Sequence, residues 1–208
     1  MMDCSVFKKI LHDNESKLIV IGVDGLSRSG KTTYVNKVEK FLVENHIDHV
    51  CLHLDDFIEP RSKRYNTGYE EWEEYYFLQW NVEKLKEDLF TGLRSSTLLH
   101  LQFYNREKDV QISKDVIIPS TGCILIEGVF LQRKEWKDYF DYVIYLNCDR
   151  ETRFKREREL TQTHLEKFEK RYWKAEDYYL MNVKPEESAD YITNTKNDGG
   201  CIFIYIPE

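Results

Sequence analysis

The chain of 208 residues is poor in proline, with four, and in glycine, with nine. That excludes collagen-like and low-complexity architectures and leaves long segments free to form regular elements. No stretch approaches the roughly 18 uninterrupted apolar residues of a membrane helix, so no membrane span is expected. Met1 to Lys17 mixes charges among its apolar residues and lacks the core of a signal peptide. The cysteines, Cys4, Cys51, Cys123, Cys148 and Cys201, are odd in number and scattered, without a C-x-x-C pair. Reduced thiols and a cytoplasmic location fit that pattern. Basic charge is short too: a net charge of −7 argues against a general nucleic-acid partner. A small anion in a local basic pocket remains compatible with it. No internal repeat or low-complexity linker divides the chain. Its length suits a single domain over 1–208, and a homo-oligomer is compatible with the composition.

What is present is a series of short apolar runs. Lys17 to Val23 (KLIVIGV) reads as a buried strand, followed by a Gly-rich turn and a helix with Tyr34, Val35, Val38, Phe41 and Leu42 on one face. Val50 to Leu54 is a second strand, ending in Asp55-Asp56. Leu78, Val82, Leu85 and Leu89 mark another helix. Leu98 to Phe103, Cys123 to Ile126 and Tyr142 to Leu146 read as further strands. Such alternation implies a three-layer α/β/α fold with a parallel central sheet. Ligands of such sheets sit beyond the carboxyl ends of the strands. Asp24, Asp55 and Glu127 each fall just past a strand end. Asp149 to about Tyr179, highly charged and free of Gly and Pro, reads as helical, with 150–180 as a lid over the site. Asn194 to Gly200 reads as a polar turn before a last strand, CIFIYI.

The sharpest motif is Gly25-Leu-Ser-Arg-Ser-Gly30-Lys31-Thr32, a full G-x-x-x-x-G-K-[ST] match between strand and helix. Backbone N–H groups between the glycines can turn inward around phosphates, and the helix N-terminus adds partial positive charge. Gly25, Leu26, Ser27, Arg28, Ser29, Gly30, Lys31, Thr32 and Thr33 are therefore the expected nucleotide contacts. Lys31 reaches the β- and γ-phosphates, and the Thr32 hydroxyl binds Mg²⁺. The motif implies nucleotide binding and leaves the reaction open.

Two carboxylates narrow it. Asp55, at the end of the next strand, can take a proton from a substrate hydroxyl attacking the γ-phosphate. Glu127 can hold the Mg²⁺ shell, directly or through water. The alternative for both is the capping of a strand end.

IGVDGLSRSGKTT, LDDF, LQWNV and ILIEGVFL together resemble the uridine kinase and nicotinamide riboside kinase family of P-loop kinases. The resemblance runs from about Leu18 to Leu146 and more loosely to Tyr191. It implies a nucleoside-kinase-like P-loop NTPase fold with a helical lid. Asp55 falls at the family's catalytic-base position, and Lys31, Thr32 and Glu127 at its phosphate and magnesium positions. Asn81 stands where the family usually has an Asp gripping the ribose hydroxyls. Tyr104-Asn105 stands where uridine kinases carry Tyr-Asp, and the pyrimidine-reading His that follows is missing. Asn81 and Tyr104 are the substrate contacts this implies.

Lid arginines of such kinases stabilise the transferring phosphoryl group. Arg150, Arg153 and Arg156 share a helical face, and Arg171 opens RYWKAEDYYL as the expected catalytic arginine; a solvated helical face is the alternative. Tyr65, Tyr69, Trp72, Tyr75 and Tyr76 either stack on a planar substrate or pack the lid. His49, Cys51, His53 and Asp55 alternate with a metal-like spacing but suit strand packing better. Thr195 to Asp198 is like a guanine-reading motif by coincidence only. The expected reaction is transfer of the ATP γ-phosphoryl, with Mg²⁺, to a hydroxyl of a small molecule, best a nucleoside or nucleoside-like alcohol. The alternatives are another small alcohol, a sugar phosphate or a pantothenate-like one, or a nucleotide-binding regulator with little turnover.

Overall fold

A computed structural model describes residues 5–14, 16–195 and 201–205 of the chain. In chain order its strands are β1 Leu18–Asp24, β2 His49–His53, β3 Leu98–Asn105, β4 Val110–Ile117, β5 Gly122–Glu127, β6 Tyr142–Asn147, β7 Tyr191–Thr195 and β8 Cys201–Tyr205. The helices are α1 Ser5–Asp13, α2 Lys31–Glu44, α3 Arg61–Arg64, α4 Glu71–Phe77, α5 Val82–Asp88, α6 Arg150–Lys155, α7 Glu159–Gln162, α8 Leu165–Lys167, α9 Trp173–Val183 and α10 Pro185–Ser188. The main sheet has the order β2-β5-β1-β6-β7-β8. Its first five strands run parallel, and β8 pairs antiparallel with β7 at one edge. No helix among the described residues is long and apolar enough to cross a membrane.

The continuous apolar strands follow from burial on both faces. Successive side chains of a strand point to opposite sides. In β5, Cys123 and Leu125 enter one core with α1 and α2, whereas Ile124 and Ile126 enter the other. In β1, Ile19, Ile21 and Val23 join the first core and Val20 the second. That second core is aromatic-rich: Trp80, Phe90, Phe130, Trp136 and Tyr179 close it under α4, α5 and α9. The result is the α/β/α layering expected from the sequence.

Three expectations change. Leu98 to Phe103 is a strand, but it stays out of the main sheet. As β3 it pairs in antiparallel register with β4, a largely exposed strand that the apolar runs did not reveal because its apolar residues are interrupted by Gln111, Ser113, Lys114 and Asp115. The charged stretch from Asp149 to Tyr179 is helical but broken. Short helices α6, α7 and α8 lead through a π-helical turn, Phe168–Tyr172, into α9. The helix around Leu78 to Leu89 starts at Val82, with Asn81 as its N-cap. α1 was not anticipated; it buries Phe7 and Ile10 against the sheet. CIFIYI contains β8, while the polar turn before it (196–200) and Lys196 to Asp198 of the guanine-like motif lie outside the described residues.

Asp24, fully buried at the end of β1, joins the layers. Its carboxylate accepts the Gly25 N–H at 2.7 Å, the Gln132 side-chain amide at 2.9 Å and the Tyr179 hydroxyl at 2.5 Å. The base of the phosphate loop is thereby fastened to α9. Tyr179→Phe leaves that carboxylate one donor short. A loss of about 1–3 kcal/mol in unfolding free energy is expected, measured by urea denaturation.

Candidate active site

The loop after β1 turns on Gly25 and Gly30, whose φ angles of +150° and +103° disfavour other residues. A Cβ on Gly25 would lie 2.7 Å from the Ser29 hydroxyl and 2.8 Å from the Leu146 carbonyl. Gly30 is the N-cap of α2, so the free N–H groups of its first turn face the loop. A cleft of about 910 Å³ opens in front of it. Ser27, Arg28, Gly30, Lys31, Thr32 and Thr33 line this cleft; Leu26 and Ser29 are buried behind it.

Lys31 is 8% exposed and donates to the carbonyls of Gly25 at 2.9 Å and Leu26 at 3.0 Å. Burial lowers its pKa, while Glu127, Asp24 and Asp55 pull the other way. Thr32 donates its hydroxyl to Glu127 Oε1 at 3.1 Å. The same oxygen meets His53 Nδ1 at 2.8 Å, and Glu127 Oε2 is buried without a partner. An orphaned carboxylate oxygen beside a hydroxyl, on a residue that lines the cleft, fits a hard cation such as Mg²⁺. Burial opposes ionisation of Glu127, but the His53 hydrogen bond, Lys31 and the Thr32 hydroxyl outweigh it and hold the pKa low. Asp55, just past β2, opens to the cleft. Burial of its surroundings raises its pKa, against Lys31 and Arg106 and together with Glu127. A base with a raised pKa beside a cationic loop suits proton abstraction from an alcohol.

Two expected residues lie elsewhere. Asn81 is exposed and spends its side chain accepting the Lys84 N–H at 3.2 Å, capping α5. From the same LQWNV segment it is Gln79, 8% exposed, that lines the cleft. Arg171 is fully buried and does not line the cleft. It donates to Glu74 Oε2 at 2.9 Å and to the carbonyls of Arg64 and Glu71, and lies 4.1 Å over the Tyr65 ring. Helical spacing could not distinguish a phosphate-facing arginine from one that fastens the π-helical turn before α9 to α4. Tyr104 does line the cleft, with its hydroxyl given to Asp109 at 2.7 Å.

Of the arginines sharing a face, Arg150 pairs with Asp177 outside the cleft, and Arg153 and Arg156 line it. Arg153 grips both oxygens of Glu176 at 2.8 and 3.0 Å, and Glu176 also accepts the Ser27 N–H at 3.2 Å. Glu176 is one of many charged residues between Asp149 and Tyr179, so no pattern singled it out. Tyr65 and Tyr75 line the cleft, whereas Trp72 and Tyr76 pack in the aromatic core and Tyr69 is exposed. Cys51 and His53 share a strand face, but His53 turns to Glu127, and no group of three potential ligands is gathered among the described residues.

The loop, the parallel sheet and the cleft at its carboxyl edge define a P-loop kinase fold. Residues 20–166 match the model of the Phosphoribulokinase / Uridine kinase family, and the chain belongs to that family. A solved structure described as a possible uridine kinase from Bacillus stearothermophilus is 45% identical, with a TM-score of 0.80, over 90% of this chain and 94% of that one. A uridine kinase of Limosilactobacillus reuteri is 28% identical over 141 residues, 65% of this chain; the match spans 61% of that relative's length. Phosphoribulokinase from Rhodobacter spheroides shares the fold, with a TM-score of 0.61 at 14% identity over 86% of this chain and 71% of that one.

Two outcomes test this geometry. Arg171→Ala leaves Glu74 buried without its cation, so unfolding free energy falls by about 3–5 kcal/mol in urea titrations. An arginine reserved for phosphate would leave stability unchanged. His53, flanked by Cys51 and Glu127, has its pKa pushed up from 6.5 to about 10. A raised folded-state pKa stabilises fully below the ordinary value and is lost as pH rises through the folded one. Unfolding experiments from pH 6 to pH 10 should thus show wild-type protein losing stability that His53→Gln does not.

Proposed function

We propose that this chain is an ATP-dependent phosphotransferase that moves the γ-phosphoryl group to a hydroxyl of a small, nucleoside-like alcohol. In this reading 1–208 forms one kinase domain with 150–180 as its lid. The observation that carries the reading is the convergence of Asp55, Lys31, Thr32 and Glu127 on one cleft. Relatives named uridine kinase and the tyrosines in the cleft, Tyr65, Tyr75 and Tyr104, support a planar, hydroxyl-bearing acceptor.

Asp55 takes the proton of the acceptor hydroxyl, whose oxygen then forms the new bond to the γ-phosphorus. The bond from that phosphorus to the β,γ-bridging oxygen breaks, and ADP leaves with the electron pair. Lys31 moves from the carbonyls of Gly25 and Leu26 to the phosphates, where its charge offsets the charge building on them. The loop amides and the first turn of α2 bind the rest of the chain of phosphates. Thr32 and the free oxygen of Glu127 would hold Mg²⁺, which would neutralise charge on the phosphates when bound. Arg156 and Arg28 flank the loop from the lid side and from its own tip.

Asp55→Asn is expected to lower kcat by roughly 10²–10⁴-fold while ATP affinity stays the same. Transfer from radiolabelled ATP to an acceptor panel measures the first, and equilibrium titration with ATP the second. Because desolvation in the cleft raises the Asp55 pKa, wild-type activity should fall on the acid side at a higher pH than an ordinary aspartate would give. Unchanged turnover in the variant would sink the reading.

A further inference from the structure

Arg64 is 7% exposed, yet no carboxylate lies within ion-pair distance of it among the described residues. Its one short hydrogen bond runs from Nε to the Glu59 carbonyl at 2.7 Å. The two terminal nitrogens have only long contacts with neutral groups. Nη1 lies 3.3 Å from the Tyr65 hydroxyl and 3.5 Å from Gln79 Oε1, and Nη2 lies 3.4 Å from the Tyr104 hydroxyl. The rings of Tyr65 and Tyr104 flank the guanidinium at 4.9 and 5.5 Å. Burying a cation without an anion is costly, and an arginine fork with both outer nitrogens poorly satisfied is shaped to receive two oxygens.

That fork lines the same cleft as Asp55. Its contacts run to residues between Glu59 and Tyr104 and to none of the phosphate loop, so it belongs to the acceptor end. Arg61, Arg106 and Lys167 line the same cleft and are exposed. The nearby acids are already engaged. Asp109 accepts the Arg61 N–H at 3.0 Å and the Tyr104 hydroxyl at 2.7 Å, and Glu59 pairs with Lys63 at 2.7 Å.

We infer that the phosphoryl acceptor is an acid-bearing alcohol, whose carboxylate or phosphate sits on the Arg64 fork while its hydroxyl faces Asp55. This rests on the phosphotransferase reading above, keeps its Asp55 chemistry, and replaces the uncharged nucleoside-like acceptor with an acid-bearing one. An uncharged nucleoside would leave the guanidinium buried and unpaired in the closed complex, whereas an anion completes it.

The test compares three arms of acceptors with purified full-length protein and radiolabelled ATP: uncharged nucleosides such as uridine, carboxylate-bearing alcohols such as glycerate and pantothenate, and sugar monophosphates. The highest kcat/KM is expected in one of the two acidic arms, and which one identifies the anion. For that acceptor Arg64→Gln should raise KM by about 10- to 100-fold, the loss of hydrogen bonds to a charged group, with the KM for ATP unchanged. Arg64→Lys, which keeps the charge and loses the fork, should restore only part of it. Arg106→Gln, on an exposed turn where folding is not at stake, should raise the same KM by a smaller factor. The inference is overturned if the uncharged arm is the best and Asp55→Asn abolishes transfer to it, in which case the kinase reading stands. It is also overturned if the KM for an acidic acceptor is the same in wild type, folded Arg64→Gln and Arg106→Gln. Transfer to no arm by protein that binds ATP overturns the inference and the kinase reading together.

Discussion

The register of three parallel strands sets everything in the cleft. β5 lies between β1 and β2, with Glu127 opposite both Val23 and His53. This alignment sets the Glu127 carboxylate between the Thr32 hydroxyl and the His53 ring, so one oxygen is held and the other is buried without a partner. A slip of one residue would turn Glu127 to the other face and into an apolar core, because side chains alternate. The apolar side chains feeding both cores make that slip prohibitive. Packing far from the cleft therefore fixes the geometry of a single carboxylate within it.

Buried charge in this molecule is distributed by role. Asp24, Glu74, Arg153, Arg171 and Glu176 are nearly inaccessible, and all are answered by protein groups. Such pairs add little net stability over apolar residues, but losing one partner is costly, so they fix one arrangement of α9 against α4 and the phosphate loop. Lys31, Glu127 and Arg64 are different. Each faces the cleft, and each is held only in part: by carbonyls, by one oxygen, or by long contacts to neutral groups. The answered charges hold elements together, and the half-answered ones are those the proposed reaction and its acceptor would use.

Much of this was legible in the amino-acid order. The glycines at positions 25 and 30 are needed where φ is positive, so the loop and its helix could be read directly. The layered fold followed from short apolar runs, since a strand buried on both faces has no polar alternation to hide it. β4 was not legible, because an exposed ribbon has no such run. Arg171 and Asn81 were assigned to phosphate and ribose from spacing and resemblance. Spacing places a side chain on a helix face without saying which partner that face meets. Gln79, two residues before Asn81, takes the cleft position because the helix starts later than its apolar residues suggest.

By itself the sequence determined the local chemistry: a phosphate-binding loop, a carboxylate after each of two strands, and helices and strands in alternation. Those depend on neighbouring residues and on backbone conformation, which short-range order dictates. Only the tertiary structure decided which charges are left without partners. That property arises between segments distant in the chain, as with Arg64 and Tyr104 or Arg171 and Glu74. Pairing of charges is a matter of ångströms across packed elements, and the order of residues along the chain does not contain it.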